Sequence, residues 1–547
     1  MHILKKFIRP LEISAAFFFL VTLSLGCSSY LSGVDYNIDG PPSYGDAIVE
    51  ASIADATTLI PIVASDSASH SICALVYNGL VKYDKDLNIV GELAEGWDIE
   101  EGGLVIVFHL RKDVRWHDGK PFTAEDVKFT YERLIDPKVR TPYGGDFLKI
   151  RSLDVLDPYT VKVRYKEPFS PALSSWGMWI MPKHLLEGED LNTTSYGRRP
   201  VGTGPYKFSR WKTGERIDLV SNKDYFDGRP FIDRYIYRII PDAATMFLEL
   251  ETEGIDMMGL DPLQYRRQTD NRFFKSCYNK FRYPSFGYTY LGYNLLDKKF
   301  KDKRVRKALN LAVNKSELID GVLMGLGEVC TGPFVPESWA YNKDIRPSAY
   351  DPKAAEMLLA EAGWIDTDGD GLLDKDGEPF SFTILTNQGN DLRRRAAVII
   401  QHRLSEIGVK VKIKVVEWSV FLTEFINKKR FEAILLAWGL GRDPDCYDIW
   451  HSSKTRQGEF NFIGYKNNEV DRLLEEGRRV FDQQRRAQIY HKVQKILYED
   501  QPYMFLWVAD SLPIVHKRFK NVKPAPAGIG YNFIRWYVPK DQQKYKQ

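Results

Sequence analysis

Phe431–Trp438 reads Phe-Glu-Ala-Ile-Leu-Leu-Ala-Trp, an apolar run that predicts a buried strand. It hands over to Gly439-Leu-Gly-Arg-Asp-Pro-Asp-Cys-Tyr-Asp-Ile-Trp-His451, a stretch rich in Gly, Pro and Asp that predicts a polar loop. α/β lobes present ligand-binding groups in this way, at the carboxyl edge of a sheet. The pattern brings two carboxylates, Asp443 and Asp445, and three rings, Trp438, Tyr447 and Trp450, to one edge. Aromatic faces beside acidic groups suit sugar rings and peptide side chains alike. Trp418 is a sixth candidate: it follows the strand pattern Val409–Val416 at a junction with a helix, where an indole either fills the core or stacks on a ligand.

Other chemistry-bearing patterns are thinner. Asp366-Thr-Asp-Gly-Asp-Gly-Leu-Leu-Asp374 sets Asp366, Asp368, Asp370 and Asp374 around a turn glycine, like the first nine positions of a calcium loop. The twelfth position is Gly377 where a bidentate Glu belongs, so an acidic hairpin turn is the plainer expectation, and no metal or other cofactor is expected. Gly202-Thr-Gly204 lacks the Gly-Lys-Ser/Thr of a phosphate loop, and a strand pattern follows it. There is no Gly-x-Ser-x-Gly and no His-Glu-x-x-His, and His451 stands alone as a surface candidate. These absences argue against an enzyme.

The elements that must hold the loop follow from length and patterning. A chain of 547 residues exceeds one ordinary core and implies two or three domains. With 76 basic and 73 acidic residues it is near neutral, which gives no reason to invoke nucleic acid. Phe380–Val416 reads as a β-α-β unit whose last strand alternates, one face buried and a lysine face wet. Ser69–Leu80 and Lys303–Asn314 show helical spacing, the latter with its basic residues expected on the solvated side. Two amphipathic helices are expected from Val470 to about Asp500. At the start, Lys5, Lys6 and Arg9 precede an apolar run, Ile13–Leu25, and Gly26-Cys27-Ser28-Ser29. This describes an export signal over residues 1–27, its apolar run short of the roughly 20 residues that span a bilayer, followed by a flexible linker over 28–44. Cys73, Cys277, Cys330 and Cys446 contain no Cys-x-x-Cys pair and leave three complete disulfide pairings open.

Leu93–Glu132 is the most specific stretch. Leu-Ala-Glu-Gly-Trp (93–97) leads into a strand at 104–110, then a turn at Trp116-His-Asp-Gly-Lys-Pro121. Thr123, three residues before Asp126, caps a helix carrying Val127, Tyr131 and Leu134 on one face. Nearly residue for residue, this resembles the signature of extracellular solute-binding protein family 5, the oligopeptide, dipeptide, nickel and oligosaccharide receptors of bacterial ABC importers. The resemblance extends over about residues 45–540.

It implies an α/β, two-lobed periplasmic-binding-protein fold of class II, the large peptide-binding type. Lobe I would take residues 45–80, 182–287 and 513–547, an additional small domain 81–181, and lobe II 288–512, with two crossing strands as the hinge. A monomeric receptor would capture a peptide between the lobes and deliver it to membrane permease subunits. The alternatives are an oligosaccharide or other small solute, or solute sensing without transport. Gly26-Cys27 resembles a lipobox, which would lipidate Cys27 and tether the body on the periplasmic or extracytoplasmic side of a membrane. In peptide-binding members an Asp three residues past the strand's terminal Trp pairs with the ligand's α-amino group. Here that position is Gly441, and the acids arrive at Asp443 and Asp445. Trp418 matches a position where a Trp stacks against ligand.

Overall fold

The computed structural model describes residue 36 and residues 39–545; Cys27 and the signal-like segment lie outside the described residues. The chain builds three principal sheets. The first has seven strands in the order Tyr278–Lys280, Pro513–His516, Met257–Gly259, Gly45–Ser52, Ile232–Ile239, Arg216–Ser221, Tyr206–Lys212. The second, also seven-stranded, runs Tyr283–Pro284, Tyr503–Ser511, Gly287–Tyr293, Ala433–Gly439, Ser381–Asn387, Lys410–Val416, with Gly327–Val329 added against Tyr503–Ser511. A four-stranded antiparallel sheet, Ala94–Glu100, Val105–Leu110, Thr160–Tyr165, Ile150–Asp157, forms a smaller body. This is the two-lobed α/β architecture that the family resemblance implies. The chain passes between the large sheets twice, from Tyr278–Lys280 to Tyr283–Pro284 and from Tyr503–Ser511 to Pro513–His516.

Local sequence explains the parts. Thr123 and Asp126 form the reciprocal capping box of helix Ala124–Ile135, satisfying two backbone donors that would otherwise be orphaned. Lys410–Val416 pairs parallel with Ser381–Asn387 in the β-α-β unit, and helix Asp391–Ser405 covers it with Ala396, Ala397, Ile400 and Leu404. Its lysines face water and Val411 is buried, but Val415 is 42% exposed, so the expected alternation holds only as far as Ile413. Helix Ser67–Val76 stops four residues before the expected Leu80, with Tyr77 already extended. Beyond it Gly79 lies so close to the chain at Gly177 that a Cβ would come within 2.6 Å of the Gly177 carbonyl oxygen.

Two expectations change. Arg306 is not on a solvated face; it is buried and donates to the carbonyl oxygens of Phe300, Lys301, Asp500 and Gln501, tying two helix ends together. Cys73, Cys330 and Cys446 are buried free thiols, so none of the three complete pairings forms. Among the described residues no helix is long and apolar enough to cross a membrane.

The smaller body shares its core with the first lobe: Ile60 and Ile62 pack with Phe108, Trp116, Trp176 and their neighbours. It also meets the second lobe. Ser170 N–H donates to the Arg478 carbonyl oxygen at 2.7 Å, Arg478 pairs with Asp146 at 2.6 Å, and Arg479 pairs with Glu167 at 2.5 Å. At the far side of the seam, Gly389 (φ +82°) lies where a Cβ would come within 2.4 Å of the Pro241 carbonyl oxygen. The lobes are thus in contact, with space left between them.

Candidate functional site

That space is a cavity of about 320 Å³ walled by all three bodies. Pro61 and His70 come from the first lobe, Tyr143, Asp146, Ser174, Ser175 and Trp179 from the smaller body, and Asp448 from the second. Volumes of this order suit a compact ligand group, and a seam between lobes is where such sites form. The aromatic wall is held in place: His70 meets Trp179 edge-on at 5.3 Å, and the Tyr143 hydroxyl donates to the Ala64 carbonyl oxygen at 2.8 Å.

Asp146 reaches the cavity from the short helix Gly144–Phe147. Ser175 Oγ donates to one of its oxygens at 2.5 Å and Arg478 Nη2 to the other at 2.6 Å. Burial pushes its pKa up to about 6 against the pull of Arg478, and Asp445 and Asp448 push the same way as burial. Gly145 lies directly against side chains of the second lobe. A Cβ there would lie 2.6 Å from Asp448 Oδ1 and 2.7 Å from Lys454 Nζ.

The strand Ala433–Gly439 delivers the loop as expected, and the loop's acids then turn inward. Asp443 receives a bidentate pair from Arg486, both bonds 2.7 Å. Asp445 receives Arg478 Nε and Nη2 at 2.9 and 2.6 Å. Both carboxylates therefore position arginines of the second lobe. Tyr447 fills the slot between the Arg478 guanidinium, 3.8 Å from its ring, and the His451 ring stacked at 4.1 Å. Trp450 is fully buried in the second lobe's core against Tyr465 and Tyr503, away from the cavity wall. His451, expected at the surface, is 8% exposed, and burial lowers its pKa.

The two remaining tryptophans lie nearer the seam. Trp438 stacks on Phe462, meets Phe460 edge-on at 5.2 Å, and donates from Nε1 to the Tyr503 hydroxyl at 3.3 Å. Phe460 in turn meets Tyr143 edge-on at 5.7 Å, so Trp438 stands one ring removed from the cavity. Trp418 packs against the cores of both large lobes, and its buried Nε1 has no hydrogen-bond partner. At Gly441 an added Cβ would meet only the Asp443 carbonyl oxygen, at 3.6 Å.

None of the six sequence candidates lines the cavity; the polar and aromatic groups that do include His70, Tyr143, Asp146, Trp179 and Asp448. Asp448 belongs to the loop after Trp438, three residues past Asp445. The Tyr143-Gly-Gly-Asp146 stretch carried a signal, paired glycines beside a ring and an acid. The acidic turn stands apart from all of this. Asp366, Asp368 and Asp374 bring oxygens within 4.8 Å of one another, while Asp370 accepts from Leu372 N–H. Asp366 and Asp374 are occupied by turn donors from Gly369, Gly371 and Thr367, which is what a hairpin turn requires.

Comparison with known proteins places this architecture. The family model described as bacterial extracellular solute-binding proteins, family 5 Middle, matches residues 88–460. The oligopeptide-binding protein AppA of Bacillus subtilis (strain 168) is 37% identical over 513 residues, covering 92% of this chain and 93% of AppA. The structure of Bacillus subtilis AppA in complex with a nonapeptide superposes with a TM-score of 0.87 at 35% identity, covering 91% of this chain and all of that one. NikZ from Campylobacter jejuni in complex with Ni(L-His) gives 0.81 at 31% identity, covering 90% and 99%. DppA from Helicobacter pylori, an ABC transporter-associated periplasmic binding protein in complex with the peptide STSA, gives 0.82 at 29%, covering 91% and 99%. The chain belongs to family 5 of the bacterial extracellular solute-binding proteins.

Proposed function

We propose that this chain is the solute-binding component of an ABC importer and that its cargo is a peptide. The observation that carries the reading is the likeness to AppA, 37% identity over 92% of the chain together with a TM-score of 0.87 to the nonapeptide complex. The geometry supports it: a cavity enclosed by residues from both lobes binds its contents only when the lobes meet, so ligand favours that arrangement. The lobed surface then docks on permease subunits, and the cargo leaves chemically unchanged. Cys27 carries the lipid anchor that keeps the body outside the cytoplasmic membrane, as a monomer on its linker. Trp418, packed against the cores of both large lobes, and Trp438, one ring removed from the cavity, stay ligand candidates, whereas Asp443, Asp445 and Tyr447 act through Arg486 and Arg478.

Native mass spectrometry of the protein begun at Ser28, incubated with a pool of synthetic peptides of two to nine residues, tests this. Retained peptides in a one-to-one complex are the expected result. Retention of none, with a bound oligosaccharide or metal chelate recovered instead after denaturation, overturns the peptide reading.

A further inference from the structure

The chain enters the described body on the first lobe, and it is docked there earlier than its composition suggests. Tyr36 is 9% exposed, meets the ring of His516 edge-on at 4.8 Å, and accepts at its carbonyl oxygen from Lys520 Nζ at 2.6 Å. Gly40 lies where a Cβ would come within 2.8 Å of the Pro539 side chain, and Tyr44 stacks on Phe231 at 4.8 Å. The stretch expected as linker is thus held at Tyr36, Gly40 and Tyr44. Nine positions separate Tyr36 from Cys27, a reach of about 30 Å even when fully extended. A lipid on Cys27 therefore keeps this part of the first lobe close to a membrane surface.

The surface beside that point is basic. The His516 ring that receives Tyr36 also meets Tyr278 at 4.9 Å, in the edge strand Tyr278–Lys280. Ahead of the strand lie the turn Gln264–Gln268 and the helix Arg272–Cys277, and Lys517 Nζ ties the helix down by donating to the Lys275 carbonyl oxygen at 2.7 Å. From Gln264 to Lys280 the basic residues are Arg266, Arg267, Arg272, Lys275 and Lys280, and the single acid is Asp270. Arg266, Arg267, Arg272 and Lys275 are exposed. Asp270 pairs with Lys275 at 2.5 Å and Lys280 Nζ turns inward to the Tyr265 carbonyl oxygen at 2.9 Å, which leaves the segment's excess charge on its arginines. Elsewhere on the first lobe Arg210, Arg238 and Arg535 each face an acid, Asp218, Glu249 and Asp227. The field at the docked ring is positive too: burial, then Arg518, Lys544 and Lys520, lower the His516 pKa. Overall charge does not explain this. The signal-like segment takes three of the 76 basic and one of the 73 acidic residues with it, so the body is close to neutral.

We infer that this face of the first lobe, built on Arg266, Arg267, Arg272 and Lys275, docks on an anionic phospholipid surface. The inference rests on the reading of Cys27 as the lipid-bearing residue and extends it. The tether limits how far the body strays, and the basic face determines which side lies down. Each arginine or lysine near an anionic leaflet adds attraction that fades within a Debye length, about 10 Å, so the patch acts only where a short tether delivers it. With the first lobe held against the membrane, the second lobe is the part that moves.

The test uses the chain from Cys27 to Gln547, made without acyl groups, and sedimentation with vesicles of phosphatidylcholine alone or mixed with an equal part of phosphatidylglycerol. At low salt, wild type should bind the phosphatidylglycerol vesicles about tenfold more tightly, and the preference should vanish in roughly 1 M salt. Replacing all four residues, Arg266→Gln, Arg267→Gln, Arg272→Gln and Lys275→Gln, should bring the ratio to within about twofold. The pair Arg266→Gln and Arg267→Gln, both on exposed side chains, should lower it about threefold, which keeps the inference open to failure if the fourfold variant does not fold. Lys410→Gln, Lys412→Gln and Lys414→Gln together, on the wet face of strand Lys410–Val416 in the second lobe, should leave it as in wild type. No preference in wild type, or an equal loss from the second-lobe variant, overturns the inference and leaves the anchor reading standing. The anchor is read separately, from the mass of the N-terminal peptide of protein taken from its native membrane. An unmodified Cys27 overturns the anchor reading, and the inference with it.

Discussion

Two buried arginines, each held between two aspartates, show how differently this molecule uses one chemical device. Arg518 lies within the first lobe, bonded through Nη1 to Asp46 and through Nη2 and Nε to Asp256, with Nη2 also donating to the Ala47 carbonyl oxygen. All three side chains are at most 1% exposed. Backbone N–H groups of Ala47, Tyr545 and Val49 complete the carboxylates. Arg478 lies at the seam between Asp445 of its own lobe and Asp146 of the smaller body, which are 10% and 21% exposed, and its buried Nη1 has no partner. One cluster closes on itself; the other is completed only when two bodies meet. A buried ion pair contributes little net stability, but removing one partner leaves a charge stranded. The first cluster is therefore a clasp within one body, and the second a catch between two.

The largest effect expected is at the clasp. Arg518→Met strands Asp46 and Asp256 in the core and should cost about 3–5 kcal/mol in urea denaturation. A loss below about 1 kcal/mol would mean that the first lobe does not depend on the cluster. Arg478→Met should be milder for stability, about 1–2 kcal/mol, because Asp146 can be solvated when the lobes separate. Its main consequence should appear in binding: a peptide retained by wild type should bind about tenfold more weakly by calorimetry. Equal losses of stability for the two variants would erase the distinction between clasp and catch.

Protonation separates the two clusters further. Burial raises the Asp146 pKa to about 6 in the joined arrangement, whereas a lobe standing open exposes it to water and returns it toward the ordinary carboxylate value. Joining the lobes therefore takes up a proton. The group's contribution to joining is fully present at low pH and lost as pH rises through about 6. The facing groups are Arg478, Asp445, Asp448, Ser175, Lys454 and His70. The ligand-free radius of gyration, followed by small-angle scattering, should increase between pH 5 and pH 7.5 in wild type. Asp146→Asn should flatten that rise, and an unchanged rise would assign the pH response to another group.

The clasp and the catch were unequally legible in the sequence. Individual elements could be read because their signals are local, such as the capping box at Thr123 and the strand that ends at Trp438, whereas the two-lobed arrangement followed from the family resemblance of Leu93–Glu132. The loop after Trp438 stood out by composition, yet the partners of its acids were not visible. Asp443 and Asp445 look free in sequence; Arg486 and Arg478 reach them from helices more than thirty residues downstream. No periodicity encodes such a pairing. Trp450 and His451 were misplaced for a related reason, since a polar loop that folds back over a core buries residues that composition assigns to the surface. His70 and Trp179 carried no signal, because they become a site only when the smaller body and the first lobe are brought together.

The smallest expected effect tests whether distance alone makes a catch. Arg479 and Glu167 also pair across the seam, at 2.5 Å against 2.6 Å for Arg478 and Asp146, so by length they are at least as close. Their surroundings differ: the Arg479 side chain is 48% exposed, the Arg478 side chain 2%. Water and salt screen an exposed pair, and ordering two long side chains offsets much of the remaining attraction. Arg479→Gln should therefore change stability by less than about 1 kcal/mol, and the difference should vanish in roughly 1 M salt, where screening acts within about 3 Å. The Arg478→Met deficit should persist under the same salt, because no solvent reaches that guanidinium. If both deficits fade together with salt, burial is not what distinguishes the catch, and the seam is held by surface charge instead.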